Sequence, residues 1–295
     1  MPVNIQKSYA EGDAYGKLYL VGTPIGNLED MTYRAVRILG EVQWIAAEDT
    51  RQTRKLLTHF DISTRLVSYH EHNKNASGPE LIRLLLAGDS IALVSDAGLP
   101  AICDPGADLV RMAIDEGIAV VPIPGANAAL SALIVSGLPT ERFTFVGFLP
   151  RDKKPLEREL GALKREPGTW LCYESPHRLV KTLTVMAEVL GGDREVCLVR
   201  ELTKRYEEAL RGTITECLAH LDSHAPQGEY VVVIRGGGAD AEAESADAWW
   251  AGLTPEQHVA RYEADGEGHK EALRRAAQDR GVPKRELYNL LHRDG

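Results

Sequence analysis

Six short segments hold most of the residues in this chain that could do chemistry. They are Gly22-Thr-Pro-Ile-Gly-Asn27, Glu48-Asp-Thr-Arg51, Ser95-Asp-Ala-Gly-Leu-Pro100, Pro124-Gly-Ala-Asn127, Tyr173-Glu-Ser-Pro-His-Arg178 and Glu201-Leu-Thr-Lys204. The carboxylates of Glu48, Asp49, Asp96 and Glu174 and the imidazole of His177 are groups that hold or move a proton. Arg51 and Arg178 carry planar donor forks suited to phosphate. Glycine at positions such as Gly98 lets the backbone come close to a ligand. Each segment alone has a plainer explanation, because Gly and Pro build turns and Asp or Ser caps the helix that follows. His177 reads equally well as a solvent-facing residue in a first helical turn, and Asp49 with Arg51 as a local ion pair. Plain turns, however, do not need acid and base side chains together. The residues leave the proton acceptor open among Asp96, Glu48, Asp49, Glu174 and His177.

Several familiar chemistries are excluded by spacing. GTPIGN lacks the G-x-G-x-x-G pattern of dinucleotide binding, and no G-x-x-x-x-G-K-[ST] phosphate loop occurs. H-E-x-x-H and G-x-S-x-G are absent as well. The four cysteines, Cys103, Cys172, Cys197 and Cys217, form no CxxC pair and no Cys/His cluster, so neither a metal nor a disulfide is expected.

The segments follow short β-rich runs that alternate with helical patterns. Expected strands are Lys17–Val21, Gln43–Ala47, Arg65–Tyr69, Ile91–Ser95 and Ala119–Ile123, then Thr144–Phe148, Trp170–Tyr173, Val196–Arg200 and Tyr230–Arg235. Helix starts are expected at Ser77-Gly-Pro-Glu80, Ser175-Pro176 and Thr213-Ile-Thr-Glu216. This alternation predicts an α/β protein with mostly parallel sheets. Ligands of such sheets sit beyond the carboxyl ends of the strands, where all six segments fall, so one shared cleft is expected.

The 295 residues suffice for two domains and an appendage. A first boundary is expected near Pro122–Gly125, giving an N-terminal α/β domain (1–123) and a second one (124–238). GGGADAEAESADA, from Gly236 to Ala248, reads as a flexible linker, placed at 239–252. The tail, 253–295, reads as short helices in a helix-turn-helix-like layout. One begins at Thr254-Pro255, one spans Lys270–Gln278, and one runs from Arg285 to Leu291. The net charge of −9 argues against a protein that coats nucleic acid nonspecifically. Between His269 and Arg293, however, seven Lys and Arg face three acids, so nucleic-acid contact is expected there, through Arg274, Arg275, Lys284 and Arg285. The uncharged stretch Ile118–Leu138 is divided by Pro122, Pro124 and Gly125 into pieces too short to span a bilayer. With no signal-peptide pattern at its start, the chain reads as soluble and cytoplasmic.

Seven ordered motifs carry a resemblance: GTPIGNL, AAEDTRQTRKLL, SDAGLPAICDPG, VVPIPGANAALSAL, GFLPR, YESPHRL and RELTK. From about Lys17 to Arg235 the chain resembles the tetrapyrrole (corrin/porphyrin) methylase superfamily, and within it the bacterial enzymes that 2′-O-methylate a cytidine of 16S ribosomal RNA. The resemblance implies two α/β domains with S-adenosylmethionine in the cleft between them, a homodimer, and 16S rRNA or the small ribosomal subunit as substrate. Carried onto this chain, the cofactor contacts are Pro24, Gly98, Pro100, Ile102, Asn127, Ala128, Tyr173, Leu202 and Thr203. The loop PGANA departs from the family, which commonly has Pro-Cys at Ala126-Asn127. Glu174, His177 and Asp96 are then the expected catalytic groups, with Arg51 and Arg178 facing the RNA. Methylation of a tetrapyrrole or corrin precursor is the second reading. A nucleic-acid binder on a degenerate scaffold is the third, opposed by the many intact loops.

Overall fold

The computed structural model describes residues 5–6, 15–237, 249–250, 252–280 and 282–291. The expected linker lies almost wholly outside the described residues, as do Gly281 and Arg293 of the tail. The chain divides into two compact units, one carrying both sheets and the other the tail helices with the short segment 162–168.

The first sheet holds β1 (Leu18–Val21), β2 (Trp44–Ala47), β3 (Arg65–Ser68), β4 (Ile91–Val94) and β5 (Val120–Ile123) in the order β3-β2-β4-β1-β5. Every pairing in it is parallel. Such a sheet is covered on both faces, which is why β4, IALV, is apolar throughout and buried at all four positions. On one face α1 (Tyr33–Glu41) packs Ala35, Ile38 and Leu39 against Val21, Ile45 and Val94. On the other, α3 (Lys74–Leu86) and α4 (Ala107–Asp115) pack Leu81, Leu85 and Leu109 against Leu18, Ile91 and Leu93.

The second sheet has the order β6-β7-β10-β8-β9, formed by β6 (Phe143–Phe148), β7 (Thr169–Glu174), β8 (Glu195–Arg200), β9 (Glu208–Thr213) and β10 (Tyr230–Ile234). Here the expectation of mostly parallel pairing is corrected. Only β6 and β7 run parallel; β10 is antiparallel to both β7 and β8, and β8 to β9. Strand β9, EALRGT, was not among the expected strands, because its polar ends and Gly212 mask a short half-buried edge. Helix α5 (Ala128–Ser136), although it follows β5, packs Ala132 and Leu133 onto this second sheet.

Local signals set most helix starts. Thr213 and Glu216 form a reciprocal capping box at the start of α8 (Ile214–Ser223), and Pro176 takes the first position of α7 (Pro176–Leu190). The start expected at Ser77 is moved: α3 begins at Lys74 and contains Pro79. Asn73 anchors that earlier start by accepting from His70 N at 2.8 Å and donating to Ser68 O at 3.1 Å. In the tail unit, α9 (Pro255–Ala264), α10 (His269–Asp279) and α11 (Lys284–Leu291) enclose a small core of Val259, Leu273, Ala276 and Leu287. No helix among the described residues is long and apolar enough to cross a membrane.

Candidate functional site

All six segments lie at the carboxyl ends of strands β1, β2, β4, β5, β7 and β8, and each contributes to one cavity of about 440 Å³. Of the residues expected to hold a cofactor, Gly98, Ile102, Asn127, Ala128, Tyr173 and Leu202 line it. Pro24, Pro100 and Thr203 stand in the same loops but outside the lining. Of the expected catalytic groups, Asp96 and Glu174 line the cavity and His177 does not.

The floor is made by loops tied to one another. Thr23 N donates to Gly98 O at 2.9 Å and Gly98 N to Thr23 O at 3.1 Å, which joins the loops after β1 and β4. Gly98 has φ +75°, and a Cβ there would lie 3.3 Å from Ile25 Cγ2. Gly22 and Gly125 approach so closely that a Cβ on Gly22 would sit 2.9 Å from the other's Cα. Asn127 caps α5, its Oδ1 accepting from Leu130 N at 2.9 Å, so the side chain that departs from the family pattern has a structural task. Non-glycine residues with positive φ cluster in these loops, at Ala101, Glu201 and Thr203. Such strain persists only where the surroundings over-determine it, and it concentrates at ligand sites. Thr203 Oγ1 is buried with no hydrogen-bond partner among the described residues.

Carboxylates crowd the wall supplied by the first sheet. Glu48, Asp96 and Asp104 all line the cavity. Burial, then the charges of Asp104 and Asp96, push Glu48 above the usual carboxylate range. Burial likewise raises Asp104, with Asp96 adding to it against a hydrogen bond from Ser95. Asp96 Oδ1 accepts from Asp49 N at 3.1 Å. Asp49 itself is engaged with Arg51 at 2.7 Å, which pulls its carboxyl down to about 2. Arg51 is 86% exposed and lies outside the lining.

The wall from the second sheet differs. Tyr173 packs edge-on against Phe145 and Phe148, with centroids at 5.0 and 5.5 Å. Lys204 Nζ neutralises Glu201 at 3.0 Å and Glu229 at 2.8 Å. Glu174, whose side chain is 1% exposed, accepts from Ser175 N at 2.8 Å and Thr182 Oγ1 at 2.7 Å, and pairs with Arg178 at 3.4 Å. Arg178 also donates to Leu149 O at 3.1 Å and Pro150 O at 3.0 Å. Both members of this pair are therefore satisfied within the protein. His177 is exposed on the first turn of α7.

In the tail unit the expected RNA-facing cations are mostly engaged. Arg274 pairs with Glu271 at 2.5 Å, Arg275 with Glu267, and Lys284 Nζ donates to Lys270 O at 2.9 Å. Arg285 is exposed. The unit is organised around the buried His258, which meets Asp279 Oδ2 at 3.1 Å through Nε2 and accepts from Arg280 through Nδ1. Burial, then the Arg280 charge, holds that imidazole below its ordinary pKa.

A family model described as tetrapyrrole (corrin/porphyrin) methylases matches residues 17–218. The chain belongs to this family. Among its relatives, a protein of Halalkalibacterium halodurans named ribosomal RNA small subunit methyltransferase I is 56% identical over 98% of this chain and 99% of its own. The Bacillus subtilis protein of that name is 53% identical over 97% and 98%. A cobalt precorrin-4 methyltransferase structure shares the fold at 15% identity and TM-score 0.57, covering 74% of this chain and 94% of that one. Uroporphyrin-III C-methyl transferase of Thermus thermophilus, solved with S-adenyl homocysteine, does so at 21% and TM-score 0.51, covering 76% and 99%. Within this family cleft, sequence reasoning missed Asp104, Phe148 and Glu229 as cavity residues. Asp104 lies within the motif SDAGLPAICDPG and Phe148 is the second residue of GFLPR, but nothing in the spacing indicates which way either side chain faces.

Proposed function

We propose that this protein is an S-adenosylmethionine-dependent methyltransferase that 2′-O-methylates a cytidine ribose in 16S ribosomal RNA of the small subunit. The convergence of all six loops on one cavity, half of it anionic, carries the reading. Relatives named for small-subunit rRNA methylation over nearly the whole chain support the substrate class.

The cavity fits this cofactor. Three crowded carboxylates suit a ligand that carries a sulfonium and an ammonium. Gly98, Asn127 and Ala128 would hold it by backbone approach, with Pro24, Pro100 and Thr203 shaping the loops and Ile102, Tyr173 and Leu202 as apolar walls. When bound, S-adenosylmethionine supplies a methyl group already activated for in-line transfer. The chain's own residues align the ribose and keep water out. Among the three catalytic candidates, Asp96 is the one exposed in the cavity, held through Oδ1 by Asp49 N. It would take the 2′-hydroxyl proton as oxygen bonds to the methyl carbon and the carbon–sulfur bond breaks. Glu174 acts through Arg178, and His177 stands at the rim toward RNA.

The division into domains 1–123 and 124–238, with a tail from 253, belongs to this reading, as does a cytoplasmic location beside assembling subunits. A homodimer is supported by the exposed apolar residues Leu130, Ile134 and Val135 on α5. Arg274, Arg275, Lys284 and Arg285 of the tail, with Arg51, would meet RNA phosphates. Acids and Lys/Arg balance at seven each across 252–291, so any positive face is confined to α10 and α11. The test is mass spectrometry of 16S rRNA after incubating small subunits with the protein and S-adenosylmethionine. A 2′-O-methylated cytidine is expected; transfer to a tetrapyrrole precursor with none to RNA would refute the reading.

A further inference from the structure

Strand β6 ends in a register irregularity against β7. Its pairing with β7 proceeds from Phe143 to Phe145 and then shifts register before Phe148. Gly147, at φ +67°, supplies the backbone turn. Bulges beside active sites re-aim side chains, and this one leaves Phe148 65% exposed while it lines the cavity and leans on Tyr173. The next residues are fixed from beneath: Arg178, braced by the buried Glu174, holds the carbonyls of Leu149 and Pro150. Just beyond them come Arg151 and Lys154, both exposed, with no acidic partner among the described residues. Lys153 between them is taken up by Glu157 and Glu188, and Asp152 is the only acid in the segment 149–154.

We propose that Phe148 is the stacking platform for the base of the target nucleotide, unstacked from its RNA strand, with Arg151 and Lys154 holding the flanking phosphates. The proposal rests on the functional reading above and deepens it. A ribose hydroxyl inside a folded RNA reaches a cavity enclosed by six loops only if its nucleotide is splayed out, and splayed bases are held on aromatic faces. The opposite wall carries Glu48, Asp96 and Asp104, so the phosphate backbone is disfavoured beside them and approaches along the second sheet, with only the target ribose reaching Asp96. Glu174 and Arg178 are positioning residues that fix the platform's height at the mouth of the cavity.

The experiment measures steady-state methylation of small ribosomal subunits alongside S-adenosylmethionine affinity by calorimetry. Phe148→Ala should lower kcat/KM for RNA by about 10-fold to 100-fold, as expected for loss of one base–aromatic stack. Cofactor affinity should stay within about threefold, and Phe148→Trp should restore most of the activity, because any base stacks on any aromatic face. Arg151→Glu with Lys154→Glu should raise KM for RNA and reduce the salt slope of binding by about two, one for each phosphate contact. Glu174→Gln should raise KM more than it lowers kcat; its melting temperature, recorded in parallel, separates loss of the brace from unfolding. Wild-type kcat/KM in Phe148→Ala, or an unchanged salt slope in the double variant, overturns the platform. So does a Phe148→Ala protein that sediments at half the parent's mass, which would assign the ring to a contact between copies. A parent protein that transfers no methyl to RNA overturns the functional reading and the platform together, whereas an active parent with an indifferent Phe148 overturns the platform alone.

Discussion

The two walls of the cavity are built from similar strand-end loops but present opposite chemistry. The first-sheet wall gathers Glu48, Asp96 and Asp104 with no cation among the residues lining that side. The second-sheet wall presents Phe148 and Tyr173, and its acids are already neutralised by Lys204 and Arg178. A cationic cofactor and a polyanionic substrate have conflicting electrostatic needs, and a cleft between two sheets lets one side serve each.

The largest expected effect is on the floor that both walls share. Gly98→Val would put a β-branched residue at φ +75° and crowd Ile25. S-adenosylmethionine affinity should fall by about 100-fold or more, given strain of this kind. Calorimetry reads it, and unchanged circular dichroism shows that the fold persists. Wild-type affinity would remove the loop after β4 from the cofactor site.

A smaller effect tests the anionic wall alone. Asp104→Asn should weaken S-adenosylmethionine by about tenfold while leaving S-adenosylhomocysteine, which lacks the sulfonium charge, nearly unchanged. Equal losses for both ligands would deny the wall its electrostatic role. Because Glu48 and Asp104 titrate above the ordinary carboxylate range, cofactor affinity should decline on acidification at a higher pH than unperturbed carboxylates would give. The stability effect has the opposite sign. A raised acid favours the neutral form in the fold, so its contribution is present at low pH and lost as pH rises through the raised value. Removing the charge in Asp104→Asn should therefore raise the neutral-pH melting temperature by about 1–3 °C.

The smallest effect concerns the tail. Truncation after Gly238 should leave cofactor affinity intact, raise KM for RNA about threefold and flatten its salt dependence by about one phosphate contact. The modest size follows from Arg274, Arg275 and Lys284 being engaged within their own unit. Identical salt curves for the two chains would leave RNA recognition wholly to the body.

What the sequence determined by itself was local. The strand-end loops, the capping boxes at Thr213 and Thr254 and the buried stripe Ala272, Leu273, Ala276 and Ala277 depend on residues a few positions apart, and all are present. The polar groups of six loops were legible as one cleft because strands of an α/β sheet direct their carboxyl ends together. Tertiary structure decided what depends on distant partners. The antiparallel pairing of β10 and the existence of β9 are set by which strand arrives alongside, not by either strand's own pattern. Arg178, an apparent phosphate ligand in the sequence, is committed to two carbonyls 29 and 28 residues upstream. Phe148 reads as an ordinary strand aromatic, and only the register shift against β7 turns it to the mouth of the cavity. Side-chain direction at a bulge is fixed by the neighbouring strand, and no local periodicity encodes that.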